Sequence, residues 1–330
     1  MSSRFNPVLA VLLMHALPAA HAAQPYDPDA EGTFSIVARD PNSGELGMGV
    51  QSKAFATASR TITVKGGVVA IAHQATSNPM YGVIGLELLH AGMTPQQALD
   101  AMVRSDDGRE SRQVAMIDAQ GRTAAFTGSL PQNWKGHRCG VDYCAQGNIL
   151  TGPEVVDAIA RSFESSKGPL AERLLAALDA GQAAGGDARG MQAGALVVAK
   201  PLAGAAGFGD RVVDLRVDDH RAPLGELRRL LNMLRSNQLV TEANAKLRDD
   251  DAAAAMQAAR AATDKSPEND SAWVALGAAR TRSGEKGEAL KAISRAVELN
   301  PANRRQIPRN PAFETLYNDA DFQRITGVLK

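Results

Sequence analysis

Thr33 opens the apolar, β-branched run Thr33-Phe-Ser-Ile-Val-Ala-Arg-Asp40, and a second run ends Gly49-Val-Gln-Ser-Lys53 after the turn cluster Asp40-Pro-Asn-Ser-Gly44. The two runs read as a β-hairpin with a hydroxyl at its head and an ammonium at the end of the paired strand. A threonine hydroxyl attacks a carbonyl once a base takes its proton; otherwise Thr33 is an ordinary strand residue. His73 ends another strand-like run and is a candidate to sit over the same site, or a histidine hydrogen-bonded for structure alone. Asn78, Gln146 and Asn148 lie next to Gly or Pro, where amides hydrogen-bond a substrate or an oxyanion, or simply form turns.

Two charged groups follow. Asp187 and Arg189 in Gly185-Gly-Asp-Ala-Arg-Gly190 can clamp a polar substrate as a charge pair or close their loop as an internal ion pair. Asp218-Asp219-His220 has metal-ligand residue types, but three consecutive residues leaving a strand cannot all point one way. They read as capping a helix that starts at Pro223. The only cysteines are Cys139 and Cys144, in His137-Arg-Cys-Gly-Val-Asp-Tyr-Cys144. Their spacing suits a disulfide closing a small loop; a zinc site with His137 is the alternative. No phosphate loop, nicotinamide fingerprint or zinc-protease motif is present, so no cofactor is expected.

The elements that must carry these residues alternate in pairs. Strand-like runs at 60–64 and 67–73 are followed by helical patterns at 81–92 and 94–103, the second opened by Thr94 as N-cap and Pro95. Strands at 113–118 and 122–127, then the segment at 146–150, lead into helices 153–165 and 169–184. Strands 193–199 and 211–217 precede the helix from Pro223. Two helices between pairs of strands, twice over, is what two stacked sheets with helices on both outer faces require. The expected class is therefore α+β with a four-layer αββα domain; a single-sheet α/β fold is the rival, disfavoured by the dominance of hairpins over crossovers.

Residues 1–22 carry Arg4, an apolar core and an Ala20-His21-Ala22 end, and read as a signal peptide. The apolar run is too short to span a bilayer. The expected location is periplasmic or secreted. Residues 23–32 are a polar, Pro-containing spacer or propeptide, residues 33–235 the first domain and residues 236–330 a second, helical one. Lys+Arg and Asp+Glu both number 36, which gives no electrostatic reason to expect nucleic acid or a membrane surface as partner.

Six ordered motifs resemble one known family: Thr33-Phe-Ser-Ile-Val-Ala-Arg-Asp40, Ala75-Thr-Ser-Asn-Pro-Met-Tyr-Gly82, Ala125-Phe-Thr-Gly-Ser129, Gln146-Gly-Asn-Ile-Leu150, Gly185-Gly-Asp-Ala-Arg-Gly190 and Asp214-Leu-Arg-Val-Asp-Asp-His220. They are similar to the domain of unknown function 1028, a predicted member of the Ntn-hydrolase superfamily, over nearly all of residues 33–235. The resemblance implies an Ntn-like fold and no particular substrate. In that superfamily, cleavage before a Thr, Ser or Cys frees its α-amine, so that one residue holds nucleophile and base. Thr33 is then the nucleophile and Lys53 a charge that lowers the amine pKa. Members beginning Met-Thr-Phe-Ser expose the Thr by losing Met, whereas this chain needs a cut between Gly32 and Thr33.

From about Thr241 the chain turns Ala-rich. Trp273, Leu276, Gly277, Ala289, Ala296 and Pro301 fall at tetratricopeptide positions, and a step of one repeat places Ala255, Ala262 and Pro267 in the same slots. Residues 310–330 read as a capping helix pair. Such repeats offer a concave face to a peptide or protein; a stabilising appendage or a homodimer contact is the plainer expectation. The sequence thus points to an Ntn-type amidohydrolase acting on a small-molecule or peptide amide. The competing class is a non-catalytic module that binds a ligand or protein.

Overall fold

The computed structural model describes residues 32–130 and 133–327. The signal peptide and all of the spacer but Gly32 lie outside the described residues. In chain order the elements are β1 (Thr33–Arg39), β2 (Leu46–Ser52), α1 (Ala58–Thr61), β3 (Ile62–Lys65), β4 (Val69–Ala75), α2 (Met80–His90) and α3 (Pro95–Ser105). Then come β5 (Arg112–Asp118), β6 (Thr123–Thr127), β7 (Trp134–Gly140), β8 (Tyr143–Leu150), α4 (Glu154–Ser165), α5 (Leu170–Ala183), β9 (Ala193–Ala199) and β10 (Arg211–Val217). The helical region comprises α6 (Pro223–Arg248), α7 (Ala252–Lys265), α8 (Asp270–Arg282), α9 (Lys286–Leu299), α10 (Asn303–Gln306), a 3-10 stretch Pro311–Leu316 and α11 (Ala320–Thr326).

The strands form two antiparallel sheets, one of six in the order β10-β9-β2-β1-β8-β7 and one of four in the order β3-β4-β5-β6. Strand periodicity then sorts the core. Val37, Met48, Val50, Ala72, Ile117 and Val197 meet between the sheets. Phe34, Ile36 and Leu196, one residue along, pack instead against Ile159 and Phe163 of α4 and Leu174 and Leu178 of α5. Ile71, Val114 and Met116 cover the other outer face with Leu99 and Met102 of α3.

Local chemistry sets several element ends. Thr94 accepts from the Gln97 N–H while the Gln97 side chain caps the Thr94 N–H, so the helix expected from Thr94 starts as a capping box with Pro95 behind it. The strand expected from Arg60 starts instead at Ile62, because the Thr61 hydroxyl bonds the Thr57 carbonyl at 2.8 Å and holds one helical turn. Residues 134–140 were not legible as a strand; they pair with β8 in a hairpin whose tip includes Asp142 at φ 60°. Cys139 and Cys144 face each other in this hairpin and form a disulfide, which excludes their thiolates from binding zinc.

α6 runs unbroken through both regions. Leu224, Leu227 and Leu231 pack under the six-stranded sheet, and Ala243 packs with Ala255, Ala259 and Ala275. Close approach of α8 and α9 rests on small residues: a Cβ on Gly277 would stand 3.1 Å from Ile293, and Ala289 and Ala296 are fully buried. Among the described residues no helix is long and apolar enough to cross a membrane.

Candidate active site at the head of the first strand

Thr33 lies between two neighbours, in register with Ser52 on β2 and with Asn148 on β8. Alternation turns Thr33, Ser35, Ser52, Gln146 and Asn148 toward the second sheet, from which Gln74 and Gln113 face them. One end of an otherwise apolar inter-sheet core is therefore polar. Gln74 Nε2 donates to the Thr33 carbonyl at 3.0 Å and to Gln113 Oε1 at 2.8 Å, and Ser35 Oγ donates to Gln74 Oε1 at 2.6 Å. Asn148 Nδ2 donates to Gln113 Oε1 at 3.0 Å, and Gln146 Nε2 to the Ala72 carbonyl at 3.2 Å. Two acceptors in this layer, Gln146 Oε1 and Asn148 Oδ1, are buried without a partner among the described residues.

The bond between Gly32 and Thr33 is the focus of this end. The Thr33 hydroxyl donates to Ser52 Oγ at 3.0 Å, and the Ser52 hydroxyl donates to the Gly32 carbonyl at 2.5 Å. The same carbonyl accepts from Arg189 Nη2 at 2.9 Å. Arg189 is fixed by Asp187 through Nε at 3.1 Å and Nη2 at 2.8 Å, a two-point pair whose carboxylate side chain is fully buried. Asp187 also accepts the backbone N–H groups of Lys53 and Arg189. This pair lies directly on Gly32: an added Cβ would stand 2.9 Å from both Asp187 oxygens and 3.0 Å from Arg189 Nη2. The glycine before Thr33 is thus required by packing.

Of the residues singled out from sequence, Thr33, Gln146, Asn148, Asp187 and Arg189 come together here. Lys53 does not bond to Thr33. Ser52 takes the inward side of the strand, and the next side chain turns out to an exposed position, where Nζ meets the Met191 carbonyl at 3.4 Å. His73 is likewise elsewhere. Its neighbour Gln74 faces β1, so the imidazole points to the outer face of β4, with Nδ1 3.1 Å from Ser77 Oγ and Nε2 3.4 Å from Thr63 Oγ1. Burial pushes its pKa down from 6.5 to about 4. Asn78 caps the start of α2 through the Met80 N–H at 3.1 Å. His137 contacts Thr127 Oγ1 at 2.9 Å, and His220 accepts from the Ala222 N–H at 3.0 Å just before α6. Among the described residues no His, Cys, Asp and Glu gather as a metal site.

Sequence reasoning missed Ser52, Ser35, Gln74 and Gln113. Their signal is polar residues at alternate positions in strands that are otherwise buried on both faces.

The class so defined is a mixed α/β protein of two stacked antiparallel sheets with a buried polar end built on the first residue of β1, followed by a helical region. The chain belongs to the family of unknown function DUF1028, whose model matches residues 33–227. It is similar to the crystal structure of protein SPO2555 from Silicibacter pomeroyi, also DUF1028, at 32% identity and a TM-score of 0.56, over 61% of this chain and 84% of that one. Comparison with curated proteins gives no match.

Proposed function

We propose that the protein is an exported hydrolase of amide bonds, with an Ntn-type αββα domain and Thr33 as its nucleophile, released by cutting the bond between Gly32 and Thr33. The observation that carries this reading is the chain of donors from Thr33 Oγ1 to Ser52 Oγ to the Gly32 carbonyl, with Arg189 on the same oxygen. It equips the intact chain to cut itself. As Thr33 Oγ1 bonds to the Gly32 carbonyl carbon, its proton passes to Ser52 Oγ and the Ser52 proton passes to the carbonyl oxygen, so the adduct stays neutral. Arg189 stabilises the partial negative charge that this oxygen carries in the transition state, before the proton has fully arrived. When the carbon–nitrogen bond breaks, the adduct's hydroxyl proton goes to nitrogen and an ester of Gly32 on Thr33 remains. Water hydrolyses the ester to a Gly32 carboxyl group and a free Thr33 amine.

In the mature enzyme the Ser52 hydroxyl and Arg189 guanidinium hold a substrate carbonyl oxygen, and the α-amine, with an ordinary pKa of about 8, takes the Thr33 proton. Asn148 Oδ1 offers the amine an acceptor from the strand opposite. The helical region reads as tetratricopeptide-like, on the small residues Gly277, Ala289 and Ala296 where α8 and α9 cross. The disulfide suits the periplasm or the exterior.

Intact mass and N-terminal sequencing of the exported protein test the reading. The wild type is expected to begin at Thr33, and Thr33→Ala to keep the residues before it. A wild-type chain that retains Ala23 to Gly32 removes the free-amine mechanism.

A further inference from the structure

We infer that the released enzyme cuts amide bonds that follow a glycine: it takes N-acylglycyl amides, peptides among them, and rejects the same amides of L-residues that carry a side chain. The inference rests on the hydrolase reading and names the substrate class of that site. Its basis is that the bond between Gly32 and Thr33 is the first amide the site meets. The Ser52 hydroxyl and Arg189 Nη2, which hold the Gly32 carbonyl oxygen at 2.5 and 2.9 Å, are the donors that hold a substrate carbonyl afterwards. The acyl group of a substrate therefore takes the place of Gly32, with its α-carbon where the glycine has its own.

That place is walled on one side. A Cβ there would stand 2.9 Å from each Asp187 oxygen and 3.0 Å from Arg189 Nη2, closer than van der Waals contact allows. The wall is held too firmly to yield. Asp187 Oδ1 accepts from the Arg189 N–H at 2.9 Å and from Arg189 Nε at 3.1 Å. Oδ2 accepts from the Lys53 N–H at 3.1 Å and from Arg189 Nη2 at 2.8 Å. Both oxygens thus hold two donors each, and the carboxylate is fully buried. Arg189 cannot swing aside without leaving the carbonyl oxygen that it stabilises.

The wall refuses an α-ammonium in the same direction, because the carboxylate is already filled and the guanidinium repels a second cation. Turning an L-residue about its Cα–C bond brings hydrogen to Asp187 but carries the acylamino nitrogen off the position of the Gly32 nitrogen. Only glycine meets the wall with hydrogen and keeps its chain in place. Asp187 is then a specificity-determining residue as well as the anchor of Arg189. In the reaction the bond from Thr33 Oγ1 to the acyl carbon forms as the α-amine takes the hydroxyl proton. The carbon–nitrogen bond breaks as that proton passes to the leaving nitrogen. Water hydrolyses the ester, which frees an acid ending in glycine and restores the Thr33 hydroxyl.

The test uses the full exported chain, its N-terminus sequenced first, and two probes that differ by one methyl group: the p-nitrophenyl esters of N-acetylglycine and of N-acetyl-L-alanine. Such activated esters acylate a nucleophile whatever leaving group the natural substrate carries. Nitrophenolate release gives the rate, and a hydroxylamine-labile adduct mapped by mass places the acyl group on the Thr33 hydroxyl. The glycyl ester is expected to react about a hundredfold faster than the alanyl ester. Asp187→Ala removes both oxygens of the wall and should bring the two rates to within about tenfold of each other, even though both fall. That ratio compares two probes on one protein, so a partial loss of folding does not move it, and if the variant fails to fold the wild-type ratio decides alone. A chain that begins at Thr33 but takes both esters at equal rates, or is not acylated by the glycyl ester, overturns the specificity and leaves the release of Thr33 standing. A chain that keeps the residues before Thr33 overturns both.

Discussion

Thr33 and Ser52 stand in register across β1 and β2, with their hydroxyls 3.0 Å apart and the Ser52 proton directed at the carbonyl of the preceding residue, Gly32. A neutral hydroxyl therefore stands where proton transfer between nucleophile and carbonyl oxygen needs a relay. Ser52→Ala is expected to slow release of Thr33 by about a hundredfold, the usual size of a lost acid–base group. Mass spectra over a time course would read the rate; cleavage at the wild-type rate dismisses the relay.

Gly32→Ala puts a methyl group 2.9 Å from both Asp187 oxygens. The ion pair is buried and held from several sides, so the backbone must give way and the carbonyl leaves its donors. Slower release is expected in this variant, read in the same time course. Lys53→Ala is the contrasting control: among the described residues its ammonium bonds only the Met191 carbonyl, and the rate should stay as in the wild type.

Asp187→Ala takes away the buried carboxylate that holds the Arg189 guanidinium at two points. Breaking a buried pair from one side costs about 3 kcal/mol. Urea unfolding should show that loss in Asp187→Ala; a midpoint equal to the wild type's would mean that the pair is not buried in solution.

His73 sets a pH dependence of stability. Its folded pKa of about 4 lies below the ordinary 6.5, so the unfolded chain binds the proton more readily. The contribution is intact above pH 6.5, declines as the pH falls from 6.5, and is fully lost by about pH 4. The span corresponds to roughly 3 kcal/mol. His73→Gln should flatten unfolding free energy against pH in that window, and an unchanged slope would assign the dependence to other groups.

Between Cys139 and Cys144 the disulfide closes a loop with a sequence separation of 5. Loop entropy for so short a ring amounts to about 2 kcal/mol. Replacing both cysteines by alanine should lower thermal stability by that order, read by calorimetry, and leave release of Thr33 unaffected because the hairpin end lies away from Gly32.

How far the sequence could be read depended on where period and residue type carry information. The β1–β2 hairpin was legible from Phe34, Ile36 and Val37 and the turn at Gly44, and the helix pairs from their caps and spacing. The order of strands was not, since β9 beside β2 and β8 beside β1 are contacts between distant parts of the chain. At the site the difficulty was two-sided burial. Every residue of β4 from Val69 to Ala75 is buried, so pattern alone does not say which of His73 and Gln74 looks toward β1. The histidine is the more conspicuous by chemistry, and the glutamine has the place. Lys53 and Ser52 pose the same choice one residue apart.

α6 carries one consequence for how the two regions could have been joined. Its first half is packed under β9 and β10 and its second half against α7 and α8, with no break between. A helix keeps phase along its length, so inserting one residue near Ser236 would turn everything beyond it by about 100° and advance it by about 1.5 Å. The helices packed on its second half would then look out from another side of the sandwich. The number of residues in the join therefore fixes how the two regions face one another.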